Sequence, residues 1–303
     1  MDDSTQPALS VLVATRNRAT LLARLFESLD TALAAAGADI ETLIIDNGST
    51  DETPRLIETW IAAGPGRARL LIDQPGQSHA LNCGIGVARG PLLAFIDDDV
   101  QVEASWARAV LAFFARHPHY DAGMGRVRIP PEVTDPQVIQ QVLCYETLPL
   151  FDRGDLVRDL TTIYGCNMVL RRQVVERVGV FDARLGPGTS GFGGDTDLCE
   201  RIVAAGLRIG YMPEAVVYHA VEVERLTPEF FRDYHRRKAR GDFQWAPGRF
   251  GRKNLSRLVD ASLRWVWCSL TGDAQRRMRA RMRMIRNAEF LRLRWQAARQ
   301  RRP

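Results

Sequence analysis

The run Ile96-Asp97-Asp98-Asp99-Val100 is the segment best suited to chemistry. Three consecutive carboxylates directly after an apolar stretch repel one another unless something positive sits among them. A hard divalent cation with oxygen ligands, Mg²⁺ or Mn²⁺, would remove that cost. Mg²⁺ is usually held by one or two carboxylates together with substrate phosphates, so this motif points to a nucleotide ligand. The bland reading is an acidic loop at the start of the next helix, where Asp is favoured.

A second signal is Gly193-Gly194-Asp195-Thr196-Asp197, a glycine-rich turn delivering two carboxylates at a helix start. Neighbours on a helix face are three or four residues apart, so Asp195 and Asp197 point in different directions. One can face a substrate pocket as a general base while the other packs or caps; an ordinary N-cap is the alternative. His219, closing the apolar run Ala215–Tyr218, is either a neutral metal ligand or hydrogen-bond donor, or a structural histidine. His79, behind Gly76-Gln77-Ser78 at a helix start, could touch a phosphate or lie on the surface. His117, His119 and His235 have weaker cases.

These residues need a frame, and the first half of the chain supplies an alternating one. Leu9–Ala14, Thr42–Asp46, Arg69–Asp73 and Leu92–Ile96 read as strands. Helices are expected from Leu21 to Leu33, around Leu56–Ile61, over Ser78–Arg89 and over Ser105–His117. The β-α-β-α order predicts a parallel, doubly wound sheet with helices on both faces. In such sheets ligands bind outside the carboxyl ends of the strands. Thr15, Arg16 and Asn17 follow the first strand, Asp46 ends the second, and Asp97, Asp98 and Asp99 follow the fourth. The second half is mixed: strands at Ala122–Ile129, Arg208–Tyr211 and Ala215–Tyr218, an apolar stretch Gly165–Leu170, and helices at Arg172–Val178 and Asp195–Ala205. From Thr227 the pattern is helical and basic, and nothing is recognisable in the stretch Arg126 to Tyr164.

Composition narrows the classes. The 303 residues are 46% hydrophobic and 25% charged, an ordinary globular balance that excludes disorder as the main state. The net charge of +5 is segregated: residues 1–234 carry −11 and residues 235–303 carry +16. An acidic body argues against nucleic-acid binding. Five scattered cysteines without a Cys-x-x-Cys pair argue against a disulfide framework or zinc ribbon. The acidic start Met1-Asp2-Asp3-Ser4 is unlike a secretory signal, and Leu258–Leu270 is too short and too polar to span a bilayer. The expected location is therefore cytoplasmic. Two motif decoys fail. Gly186-Pro187-Gly188-Thr189-Ser190-Gly191 has no strand before it and contains proline, and no P-loop is present.

Taken in order, these segments resemble the family-two glycosyltransferases with the GT-A fold. The matching stretches are Ser10–Arg18, Ile45–Thr53, Gly76–Gly90, Phe95–Val100, Gly165–Arg171, Val178–Asp182, Gly193–Arg201 and Val216–His219. The resemblance implies inverting, metal-dependent transfer of a sugar from a nucleotide diphosphate sugar to an acceptor hydroxyl. Thr15 and Asp46 would hold the nucleoside, with Arg16, Asn17 and His79 on the same donor side. Asp97 and Asp98 would contact the ribose or the metal's water shell. Asp99 and His219 would hold Mg²⁺ or Mn²⁺, and Asp195 would be the base, with Asp197, Gly193 and Gly194 as secondary acceptor-side residues. One departure stands out: the family usually has Glu-Asp where this chain has Gly194-Asp195.

The expected organisation is a GT-A domain over residues 1–220, with a nucleotide-sugar half at about 1–125 and an acceptor half at about 126–220. A basic helical extension over 221–303 follows. Two other functions compete: a nucleotidyltransferase, and an inactive GT-A domain serving as an adaptor through its basic tail. The nucleotidyltransferase should show a glycine-rich loop after strand one, which is missing. In the tail, Ala280, Met284, Ala288, Leu291, Trp295 and Ala298 form a helical stripe among arginines. Such a helix, residues 274–302, could lie on an anionic membrane at its cytoplasmic face, or pack on the acidic body or on a second subunit as a homodimer.

Overall fold

The computed structural model describes residues 6–245 and 254–300. The N-terminal residues 1–4, part of the expected helical tail at 246–253 and the basic residues 301 and 302 lie outside it. Two compact units form. One comprises the chain up to Pro130, Pro149–Arg184 and Gly194–Ala220; the other comprises Pro131–Leu148, Leu185–Gly193 and the chain from Val221 on.

The first unit is built on β1 (Leu9–Thr15), β2 (Ile40–Asp46), β3 (Arg67–Leu71), β4 (Leu92–Ile96), β5 (Val100–Val102), β6 (Ala122–Arg128), β7 (Asp159–Leu160), β8 (Asn167–Arg171) and β9 (Ile209–His219). Their order across the sheet is β3-β2-β1-β4-β8-β6-β9-β5, with β7 beside β9. β1, β2 and β4 are buried along their whole length, around mostly apolar runs, with the polar Ser10, Glu41 and Thr42 buried among them. α1 (Ala19–Ala34), α2 (Thr53–Ala62), α3 (Gln77–Val87) and α4 (Trp106–Arg116) supply the crossovers. α1 buries Leu22, Leu25, Phe26 and Leu29 on one face, and Phe26 stacks on Trp60 of α2 at 4.2 Å. Each such aliphatic side chain contributes about 2 kcal/mol when removed from water. α3 lies unusually close to the sheet because Gly84 has no Cβ; one there would come within 2.9 Å of Ile45 and 3.0 Å of Leu12.

The expected mostly parallel α/β sheet is present, with one structural correction to the simple doubly wound picture. β3-β2-β1-β4 is parallel, but β8 runs antiparallel to both β4 and β6, and β5 antiparallel to β9. The two short strands expected at Arg208–Tyr211 and Ala215–Tyr218 are one strand, β9, whose pairing with β6 skips between Gly125 and Arg126. Pro213 falls in the skip, where its missing N–H interrupts no ladder bond. α6 (Arg172–Val178) and α7 (Gly194–Ala204) complete the unit.

The second unit is helical: α5 (Pro136–Tyr145), α8 (Pro228–Trp245), α9 (Asn254–Leu270) and α10 (Ala274–Gln300), with α10 packed on α9, α8 and α5. The stripe read from the sequence is divided on α10: Ala280 is buried, Met284 and Leu291 are half-buried, and Ala288, Trp295 and Ala298 are exposed. The packed face instead holds Glu289 and Phe290, with Met278, Met282 and Leu293 half-buried. Ion pairs fix this face: Glu289 with Arg240 at 2.8 Å, and Asp242 with Arg286. The five cysteines are all free thiols, and no described helix is long and apolar enough to cross a membrane.

Candidate active site

The parallel strands β1, β2 and β4 end on one edge of the sheet, with Thr15 in register with Asp46. Beyond β4 the chain must cross from Ile96 to Val100, and both ends of that crossing are pinned. Ile96 pairs with Asn167 at the start of β8, and Val100 pairs with His219 at the end of β9. The Ala220 amide donates to the Asp99 carbonyl at 2.8 Å, closing the loop on the β9 end. The three aspartates are thus held between two strand junctions, and His219 is brought opposite them from 120 residues further on.

Asp97, Asp99 and His219 offer ligand atoms that all lie within 4.8 Å of one another. His219 Nε2 is 3.4 Å from Asp99 Oδ1, and both side chains are buried. The other ring nitrogen, Nδ1, lies 3.1 Å from the Ala220 carbonyl. The carbonyl holds Nδ1 and so turns Nε2 toward the carboxylates, the orientation that a metal-ligating histidine takes. Arg18 approaches Asp99 at 3.8 Å, and the Gln77 amide approaches Asp97 at 3.4 Å. Two carboxylates and an imidazole nitrogen at this separation fit a divalent metal cation.

Asp98 turns away from that cluster and accepts the Thr15 hydroxyl at 2.7 Å. Asp46 is fully buried, accepts the Ser49 amide at 2.9 Å and pairs with Arg69 at 2.6 Å. Asn17, with left-handed backbone at φ 53°, accepts the Thr50 amide, and its own amide donates to Ser49, so it ties the loop after β1 to the loop after β2. Arg16 is exposed beside it. His79, in the first turn of α3, is half-buried with Nε2 3.8 Å from the Cys83 thiol.

Gly193, at φ 103°, and Gly194 turn the chain into α7 and are buried. The two acids that follow separate as helix geometry requires. Asp197 is engaged by Arg201 one turn later at 2.8 Å, and Arg201 also donates to the carbonyls of Val178, Gly179 and Val180. Asp195 accepts only the neighbouring Thr196 amide and hydroxyl among the described hydrogen bonds. It belongs to the same electrostatic neighbourhood as the triplet: burial, then the charges of Asp97, Asp99 and Asp195, push the Cys166 thiol well above its ordinary value.

Four residues outside the expected set help to build the site. Arg18 and Gln77 face the aspartates, Arg69 holds Asp46, and Asn47 takes the Gly76 amide at 2.9 Å while its own amide donates to Ile72 and Gln74. Arg18, Gln77 and Asn47 lie inside the stretches that carry the resemblance; Arg69 lies on β3 and had no sequence signal.

The model of the family "Glycosyl transferase family 2" matches residues 10–179, more than half of the chain. The chain belongs to that family. Among its relatives, the succinoglycan biosynthesis protein ExoM of Rhizobium meliloti is 34% identical over 148 residues, 49% of this chain and 46% of ExoM. The glycosyltransferase AglE of Haloferax volcanii is 25% identical over 217 residues, 71% of this chain and 68% of AglE. The pre-mycofactocin glycosyltransferase of Mycobacterium tuberculosis is 27% identical over 217 residues, 70% of this chain and 42% of that protein. The chain therefore spans about half the length of two of these family members. The fold is that of solved GT-A glycosyltransferases. The mannosyltransferase PcManGT from Pyrobaculum calidifontis, in complex with GDP-Man and Mn²⁺, superposes with a TM-score of 0.60 at 18% identity, covering 95% of this chain and 86% of that one. GalNAc-T7 with UDP, GalNAc and Mn²⁺ gives 0.55 at 15% identity, covering 78% of this chain and 48% of that one.

Proposed function

We propose that this family-two protein is a metal-dependent, inverting glycosyltransferase that moves a sugar from a nucleotide diphosphate sugar to an acceptor hydroxyl. The observation that carries the reading is the convergence of Asp97, Asp99 and His219 at the carboxyl edge of the sheet. Asp99, Asp97 and His219 would hold a divalent metal, which when bound stabilises the negative charge of the departing nucleoside diphosphate. The nitrogen donor favours Mn²⁺ over Mg²⁺, since Mg²⁺ takes oxygen ligands by strong preference.

Contacts within the site support the remaining roles of this reading. Thr15, Asp46 and Asp98 line the donor side, with Asp98 positioned by the Thr15 hydroxyl and Asp46 by Arg69. Arg16, Asn17 and His79 stand at the ends of the loops that border it. Asp195 serves as the general base that takes the acceptor proton. Asp197 is already committed to Arg201 and anchors α7 instead. Inversion needs a single base on the face opposite the leaving group, so the glycine at position 194 does not remove the essential carboxylate. The names of the relatives range from succinoglycan biosynthesis to pre-mycofactocin, and neighbours solved with GDP-Man or UDP and Mn²⁺ support the donor class.

A screen of nucleotide sugars for donor hydrolysis, with Mn²⁺, with Mg²⁺ and with chelator, tests the reading. Release of nucleoside diphosphate from at least one donor, dependent on metal, is expected; no turnover of any donor in any metal would overturn it.

A further inference from the structure

α9 turns its apolar side outward. Leu255, Val259, Leu263, Val266, Trp267 and Leu270 recur at helical spacing and are all more than half exposed, while Ala261 and Cys268 on the opposite side are buried. The stripe runs along the full helix, roughly 22 Å at 1.5 Å per residue, and carries no charge. Soluble surfaces rarely leave so continuous an apolar strip uncovered. Trp265 beside it and Trp295 on α10 are exposed as well.

The charge of the same layer selects the occupant. α9 and α10 pack against each other. Together they hold eleven arginines against two acids, Asp260 and Glu289, with Asp273 in the turn between them. Glu146, at the end of α5, and Asp242 of α8 engage two of those arginines, and a cationic excess remains. A second copy would set this basic layer against its own duplicate, at a cost in like-charge repulsion. An anionic bilayer receives both features: apolar side chains enter the boundary between headgroups and acyl chains, tryptophans settle at headgroup level, and arginines meet lipid phosphates.

We infer that α9 is an interfacial helix that docks the protein on an anionic membrane through its Leu255–Leu270 stripe. The stripe of α10 read from the sequence is not the contact, because its residues do not form one exposed apolar face. α9 is too short and too charged to insert across the bilayer, so docking is peripheral. No step of sugar transfer enters this assignment, and vesicle binding is measured without donor.

The full chain is sedimented with vesicles of phosphatidylglycerol and phosphatidylcholine, or of phosphatidylcholine alone, at low and high salt. Binding to the anionic vesicles that weakens with salt is expected. The double variant Leu263→Glu/Val266→Glu should lower the partition coefficient by about tenfold or more while keeping the circular dichroism of the parent. Trp267→Ser provides an independent variant should the double one misfold, and should lower binding in the same direction. Failure of the parent to sediment with anionic vesicles, or equal binding by the parent and a folded stripe variant, overturns the inference. So does a concentration-dependent dimer that the stripe variants dissolve without any vesicle binding, which would give the face to a second copy.

Discussion

Asp99 is fixed by its backbone as much as by its side chain: its carbonyl accepts the Ala220 amide while its carboxylate faces His219. Asp99→Ala removes the carboxylate and leaves that backbone bond in place. Calorimetry with nucleoside diphosphates in Mn²⁺ should then show affinity lower by about 100-fold, with the thermal midpoint little changed. Unchanged affinity would take the metal away from this cluster. Asp195 and Asp197 can be told apart in the same way. Asp195→Asn should keep donor affinity and lower turnover by about 10² or more, the contribution of a general base. Asp197→Asn should leave turnover nearly intact and cost about 1 kcal/mol of stability through its lost pair with Arg201, read by denaturant melts. The aspartate triplet and the Gly-Gly-Asp turn could be picked out in the sequence because carboxylates crowded at strand and helix ends have few structural uses. Their partners could not, since nothing local says that Arg69 reaches Asp46 across two strands.

At the level of elements, the parallel strands announce themselves because burial on both faces demands mostly apolar runs, as in Val11–Ala14 and Leu92–Ile96. Strand direction carries no such mark. β8 has an apolar centre, Met168–Leu170, much like that of β4, and only the placement of its partner shows that it runs the other way. The polar break at Pro213-Glu214 reads as a gap between two strands, whereas the skip in the pairing with β6 lets β9 continue past it. α5 left a signal that is easy to pass over: Asp135 caps the Gln137 amide at 2.8 Å with Pro136 in the first turn, a recognised helix start. Gly125 sits where the β6–β9 pairing shifts. A Cβ there would lie 2.1 Å from the Asn167 amide and 2.5 Å from the Ala215 carbonyl. Asn167 cannot yield, since it donates to Arg126 and Ala215 and accepts the Trp106 indole. Gly125→Ala should therefore destabilise the sheet unit by about 2–3 kcal/mol, seen as a lower denaturant midpoint. A neutral substitution would mean that this network relaxes freely.

Across the whole molecule, the segregated charge seen in the sequence becomes a helical unit that neutralises part of itself. Arg240 and Arg292 flank Glu289, Arg286 meets Asp242, and Arg279 meets Glu146. Within this unit His235 is buried, with Nε2 3.2 Å from the Tyr145 carbonyl and no hydrogen-bond partner on Nδ1 among the described residues. Burial lowers its pKa to about 4, and the positive charges of Arg286 and Lys238 act in the same direction. The unfolded chain holds the proton up to its ordinary value near 6.5, so between pH 6.5 and 4 the unfolded state binds more protons than the native one. Stability must then rise with pH across that window and level off above it. Between pH 7 and pH 5 the loss amounts to about 2 kcal/mol from this one group. Urea midpoints measured along the window should follow that slope, and His235→Gln should flatten it at pH 5 whatever it costs at pH 7. A slope in the variant equal to that of the parent would assign the acid sensitivity to other groups.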